Sequence, residues 1–216
     1  MQRLVKCGQQ QRQQRKVNDM SVMALDIETK NMSHEIGGFG NTHMFQVSTV
    51  TTWDGSVAKV YVDEPLDTFA KSGHIIKSLR DLKFDLDEHF EKGGSLLGHN
   101  IVSFDLPVLK NAMDIYCIKK YLDAKRYIDT SRDIQSLNGE RFKLQNLSEN
   151  TLKTDKLMDS ADAPKLWKQG DYDSVVEYCL KDSQIVYDIW KYGKENGIVK
   201  GFSLDKGEFV DLEVDW

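Results

Sequence analysis

Short apolar runs alternate with amphipathic stretches along most of this chain, and the order in which they come predicts its architecture. Val22–Ile27, Phe45–Trp53 and Val57–Val62 carry the dense apolar pattern of buried strands. Asp54-Gly55 between the last two predicts a tight turn and therefore an antiparallel hairpin. After Asp63 the spacing turns helical. Leu82–Phe90 reads as a helix ending near Gly93-Gly94, Ser95–His99 as a short buried strand, and Asp105–Met113 as a helix that tolerates Pro107 in its first turn. Tyr127–Thr130 reads as a further strand end and Phe142–Leu152 as a helix. A long helix is expected from about Ser174 to Asn196, with Ser174 and Glu177 as a capping box and Gly197 as its stop. Residues 198–216 are weakly patterned and suggest one short strand. Strands first, then strands alternating with helices, point to one α/β layer fold built on a mixed sheet.

One strand breaks its own pattern. Side chains two apart on a strand share a face, so Asp26 and Glu28 project together with only Ile27 between them. Two carboxylates that close, inside an apolar run, repel each other and resist burial unless a positive charge joins them. A divalent cation is the usual solution. Just downstream, Lys30–His43 is a Gly-rich connection of unusual length for a hairpin, containing Gly37, Gly38 and Gly40. Its spacing does not match a phosphate-binding glycine motif.

Composition narrows the class. The chain has 216 residues, 40% of them hydrophobic, enough for one sizeable core and against wholesale disorder. No apolar run approaches a membrane span. Three scattered cysteines (Cys7, Cys117, Cys179) and no secretory signal suggest reduced thiols in a cytoplasmic, intracellular protein. The formal net charge of −5 argues against gripping nucleic acid through an overall positive field. Clustered metal-binding carboxylates would account for several of those charges, and bound cations would reverse their local sign. Residues 1–20 form a basic, Gln-rich extension with no acidic residue before Asp19. It reads as a solvated arm or as an arm touching nucleic acid or a partner.

Two further acids sit where a lone charge is out of place. Asp105 follows the strand Ser95–His99 at a helix head, where an N-cap role explains it as well as a ligand role. Asp182 lies on the apolar stripe Val175, Cys179, Val186, Ile189 of the long helix, and Tyr178 is one turn earlier on the same face. A salt bridge would also account for Asp182, and core packing for Tyr178.

Together these segments resemble a known set. Asp26-Ile27-Glu28, Asn100-Ile101-Val102-Ser103-Phe104-Asp105 and Tyr178-Cys179-Leu180-Lys181-Asp182 are similar to the three motifs of the DEDDy 3′–5′ exonucleases. The wording is closest to the proofreading domains of B-family DNA polymerases and their stand-alone relatives. Asp211-Leu212-Glu213 repeats the first pattern but falls after the third. Among the tyrosines, Tyr178 alone has an aspartate four residues on, and Glu177 stands where the histidine class of the family carries its histidine.

The resemblance implies a ribonuclease H-like three-layer fold with a central mixed five-stranded sheet flanked by helices. The exonuclease domain would span residues 21–197 and be followed by a C-terminal tail, 198–216. It implies two divalent ions, Mg²⁺ or Mn²⁺, held by Asp26, Glu28, Asp105 and Asp182, with Tyr178 orienting the attacking water. Thr29, Asn100 and Phe104 would contact the terminal nucleotide, and the 30–43 loop would cover it. Lys119, Lys120, Lys125 and Arg126 are the basic candidates for a phosphate path, although a solvated helix face explains them equally. His99 reads as a structural strand-end residue and Asp129 as an acidic decoy. The implied partner is single-stranded nucleic acid with a free 3′ end, DNA favoured, and no membrane. Replication, repair and RNA processing all fit, and no protein partner is indicated. Alternatives are a 3′–5′ exoribonuclease, a catalytically idle nucleic-acid-binding module, and an endonuclease of the ribonuclease H type proper.

Overall fold

The structure is a computed structural model that describes residues 22–69, 74–154 and 161–216. The basic extension expected over 1–20 lies outside the described residues. Six strands form the main sheet: β1 (Val22–Thr29), β2 (Val47–Trp53), β3 (Ala58–Val62), β4 (Ile75–Ser78), β5 (Ser95–Gly98) and β6 (Tyr127–Asp129). They lie in the order β4-β3-β2-β1-β5-β6. β1 and β2 are antiparallel, as are β2 and β3, while β5 runs parallel to β1, β6 to β5, and β4 to β3. The sheet is mixed as expected, but it has six strands rather than five. The additional strand, β4, carries little sequence signal: its apolar content is two isoleucines, Ile75 exposed and Ile76 half-buried, too little for a pattern to register. The Asp54 turn forms as its sequence predicts, with Asp54 Oδ1 accepting from the amides of Ser56 (2.9 Å) and Val57 (2.8 Å).

Helices cover both faces. α1 (Leu82–Glu91), α2 (Asp105–Ala112) and α3 (Cys117–Asp123) pack on one side; α4 (Thr130–Asn138), α5 (Leu144–Leu147), α6 (Ala163–Lys168) and α7 (Tyr172–Asn196) complete the set. The alternation within β1 shows how the two faces are used. Leu25 and Ile27 enter the cluster of Leu86, Leu106, Leu109 and Tyr121, whereas Val22 and Ala24 join Val186 and Trp190 of α7 on the other face. Asp26 and Glu28 continue the α7-facing row.

Local details depart from the sequence expectations in instructive ways. The long helix begins two residues earlier than expected, capped by Asp171, whose Oδ1 accepts from the Ser174 amide, rather than by Ser174 itself. The predicted helix 142–152 is a single α-turn that passes into a π-turn over Ser148–Leu152. Residues 198–216, expected as a tail with one short strand, form a hairpin of β7 (Ile198–Ser203) and β8 (Glu208–Glu213). Its Val199 and Leu212, with Val214 just beyond, bury against Ile185 and Ile189 of α7 and Phe142. Alternation in β8 is diluted by its exposed acids, so this partnership is a tertiary one.

Candidate active site

Four carboxylates come together from three elements. Asp26 and Glu28 stand on β1 beside a register shift between Glu28 and Thr29, a bulge that re-aims the strand end. Asp105 opens α2, and Asp182 lies mid-way along α7 on the face packed against β1 and β2. Glu28, Asp105 and Asp182 are 8%, 6% and 8% exposed, so each is nearly withdrawn from water. Asp26 keeps some open surface, yet its Oδ2 is sealed and has no hydrogen-bond partner among the described residues, as is true of Asp182 Oδ1.

The chain builds this convergence by local means. Gly98 ends β5 so tightly that a Cβ there would stand 2.6 Å from Ile101 Cβ, and Asn100 then takes a left-handed turn at φ 69°. That turn swings the backbone into α2. Phe104, not Asp105, occupies the cap position, so the aspartate is released from capping. Its carboxyl instead draws on its own amide and on the amide of Ile27 in β1. Beneath Asp26, Thr51 Oγ1 of β2 donates to Cys179 O (2.9 Å) and sits 3.1 Å from Ser183 Oγ, pinning α7 to the sheet.

The charges perturb one another. Burial, then the charges of Asp182, Asp105 and Glu28, holds the Asp26 carboxyl well above the usual carboxylate range. Burial, then Asp182 and Asp105, does the same to Glu28. Burial pushes Asp105 up to about 8, and Asp182 to about 6, the latter restrained by the hydrogen bond that the Tyr178 hydroxyl donates. Burial and the same acids push the Tyr178 phenol far above its ordinary value, so it stays protonated and acts as a donor rather than a base. Among the described residues, no three His, Cys, Asp or Glu side chains stand together closely enough to hold a metal ion as they lie. The four carboxylates are electrostatic neighbours, with two sealed oxygens unanswered by any donor among the described residues. An all-oxygen donor set of this kind suits hard divalent cations.

The remaining expected residues divide. Phe104 packs edge-on against Phe45 (5.2 Å) and Phe39 (5.8 Å). Phe39, 67% exposed, comes from the 30–43 loop and had no signal of its own in the sequence. Thr29 is buried and its hydroxyl donates to Asn31 O at 2.8 Å, shaping the strand exit rather than presenting itself to a ligand. Asn100 lies on the turn into α2, where its side-chain carbonyl accepts from Arg141. His99 is structural: it bonds Thr130 Oγ1 and Phe142 O (2.9 Å each), and burial pushes it down to about 4. Asp129, read from the sequence as a decoy, has its two oxygens accepting from the amides of Asn100, Val102 and Arg132. The basic candidates for a phosphate path are engaged elsewhere. Lys120 pairs with Asp87 (2.7 Å) and Glu91 (2.9 Å) of α1, Lys119 pairs with Asp123, and Arg126 donates to Phe90 O. Lys125 forms a left-handed turn at φ 54° beyond α3.

Comparison with known proteins agrees with this architecture. No curated protein matches the chain. A family model, that of the RNase H superfamily, matches residues 23–198 and so spans β1 through the end of α7, with every carboxylate above inside it. A mixed sheet covered on both faces by helices, with a match of that extent, places the fold, and this chain belongs to the RNase H superfamily.

Proposed function

We propose that this protein is a metal-dependent 3′–5′ exonuclease of the DEDDy type, acting on single-stranded nucleic acid with DNA favoured. RNase H-like domains are nuclease domains that generally work with divalent metals, and the site residues here narrow that class. The observation that carries the reading is the cluster itself: three buried carboxylates and the partly covered Asp26, with burial and shared charge raising their proton affinity, two sealed oxygens without partners among the described residues, and a protonated phenol beside Asp182. Asp26, Glu28, Asp105 and Asp182 would hold two Mg²⁺ or Mn²⁺ ions. When bound, these supply charge neutralisation and a water acidic enough to attack a phosphodiester.

The protein's own groups do the rest. Asp26, on the strand between the other acids, is the carboxylate best placed to be shared. Tyr178 keeps its proton, so its hydroxyl orients a water or Asp182 by donating, and the attacking water's proton must leave by another route. Phe104 and Phe39 give an apolar wall next to Asp105 against which a terminal base can pack. α7, locked to β2 through Thr51, holds Asp182 and Tyr178 in register with β1, and a one-residue slip would turn both away.

The test is an assay on matched 5′-labelled single-stranded DNA, RNA and mismatched duplex with Mg²⁺ or Mn²⁺. A ladder shortening from the 3′ end is expected. It should be blocked by a 3′-terminal phosphate, and Asp26→Ala should abolish it. Internal cuts in the RNA strand of a hybrid, or degradation from the 5′ end, would overturn the assignment.

A further inference from the structure

Substrate strands are polyanions, and the face around four carboxylates needs a cation to receive one. Two of the lysines on the side of the 30–43 loop are already neutralised. Lys30 lies 3.0 Å from Asp63 and 3.6 Å from Glu64, and Lys168 lies 2.8 Å from Glu35. Arg141 is different. It is exposed, and among the described residues it has no carboxylate within ion-pairing distance. Its guanidinium is held by two neutral acceptors: Nη2 donates to Asn100 Oδ1 and Nε to Ser131 Oγ at 3.4 Å. The acids that flank it are committed elsewhere, Asp129 to three backbone amides and Glu140 to Ser203 Oγ at 2.6 Å. Arg141 therefore keeps its full charge and three of its five N–H donors, in a fixed orientation.

Its location matters as much. The anchor Asn100 is the left-handed residue of the turn that leads from β5 into the helix headed by Asp105. Ser131 lies on α4, immediately after β6, the next strand in the sheet. The guanidinium is thus tied to the connections that leave two adjacent parallel strands at their C-terminal ends, the edge on which Asp105 is presented. Arg141 also lies near enough to His99 for its charge to oppose protonation of that ring. The bond also turns the Asn100 carbonyl toward Arg141, leaving its Nδ2 uncommitted among the described residues.

We propose that Arg141, steadied by Asn100 and Ser131, grips an unreacted phosphate of the substrate strand and so sets how the strand enters the site. The planar fork suits two phosphate oxygens, and its neutral tethers hold it in position without cancelling its charge. This rests on the exonuclease reading and extends it to a residue outside the three motifs.

The test uses the full chain with Arg141→Gln and Arg141→Lys, each checked for an unchanged urea midpoint. Two substrates are compared in Mg²⁺: a 5′-labelled single-stranded oligonucleotide, and the p-nitrophenyl ester of thymidine 5′-monophosphate, which has no second phosphate. For Arg141→Gln, KM for the oligonucleotide should rise about tenfold, the effect of one lost charge-assisted contact. The log–log salt dependence of oligonucleotide binding should flatten by about 0.7. The preference for oligonucleotide over ester, as a ratio of kcat/KM, should fall in step, with Arg141→Lys recovering part of the loss. A single methylphosphonate linkage that weakens the wild-type protein should have no added effect on Arg141→Gln. Unchanged KM and salt slope would overturn the proposal, and so would an equal loss on both substrates, which would mark Arg141 as only a support for Asn100. A wild-type protein inactive on every 3′ end would defeat the exonuclease reading instead. Fluorescence anisotropy of the labelled oligonucleotide would then still decide whether Arg141 binds phosphate.

Discussion

Asp182→Asn should stabilise the metal-free protein while abolishing its activity. Burial raises the Asp182 pKa from 3.8 to about 6, with the Tyr178 hydrogen bond opposing the shift. Each pKa unit corresponds to about 1.4 kcal/mol, so keeping this group ionised in the fold costs roughly 3 kcal/mol. The sign follows from proton counting. Between about pH 4 and pH 6 the folded state binds more protons at this site than the unfolded chain, so stability falls as pH rises through that window. Below it the penalty is absent, and above it the penalty is complete. Asp105, raised to about 8, extends the same trend to higher pH, and Asp26 and Glu28 act in the same direction.

Asparagine keeps the shape and can still accept from Tyr178, but carries no charge to bury. Some gain is lost because a neutral acceptor bonds the phenol less strongly, leaving about 1–3 kcal/mol at pH 8. With a slope of about 2–3 kcal/mol/M, urea unfolding followed by tryptophan fluorescence in EDTA should show a midpoint higher by roughly 0.5–1 M. The difference should vanish by about pH 4. Adding Mg²⁺ or Mn²⁺ should stabilise the wild-type protein and much less so the variant, because only a state that binds the ion gains from it. An Asp182→Asn protein no more stable than wild type at pH 8 in EDTA would refute the reasoning. So would a wild-type protein that loses stability on acidification from pH 8 to pH 5.

Two further outcomes follow from the geometry. Tyr178→Phe should leave a residual activity, lower by about 10- to 100-fold for one lost hydrogen bond to a charged group, with the metal-dependent rise in stability retained; single-turnover rates check this, and complete inactivity would indicate a larger role for the phenol. Gly98→Ala places a Cβ 2.6 Å from that of Ile101, and should destabilise the fold by about 1–3 kcal/mol in urea melts because neither backbone nor core can readily yield.

What was legible in the sequence, and what was not, divides along a physical line. Asp26 and Glu28 could be read because a strand's period of two puts them on one side, and their charge contradicts the apolar run around them. Asp182 contradicts a helical stripe in the same way, and the fold buries Glu28 and Asp182 and partly covers Asp26. Asp105 is ambiguous in the sequence, since a helix head explains an aspartate; in the structure the cap position goes to Phe104. β4 and the terminal hairpin were underread because exposed edges and acid-rich strands carry a diluted pattern. Lys119 and Lys120 were underdetermined as a phosphate path, because a run of lysines does not announce that α1 supplies their acids.

Local rules, the periods of strand and helix and the cost of a charge in an apolar stripe, thus marked Asp26, Glu28 and Asp182 as out of place and pointed to an α/β layer fold on a mixed sheet, while Asp105 and the ribonuclease H-like fold came from the resemblance of the motifs. They act over a few residues and are written wherever those residues stand. Which groups meet is another matter. The edge-on contact of Phe39 with Phe104, the anchoring of Arg141 on Asn100, and the pinning of Thr51 to Cys179 join positions from 41 to 128 residues apart in the two hydrogen-bonded cases. Such pairings arise when the sheet and α7 close around a shared core, since the energy of a contact depends on distance in space and leaves no periodic trace along the chain.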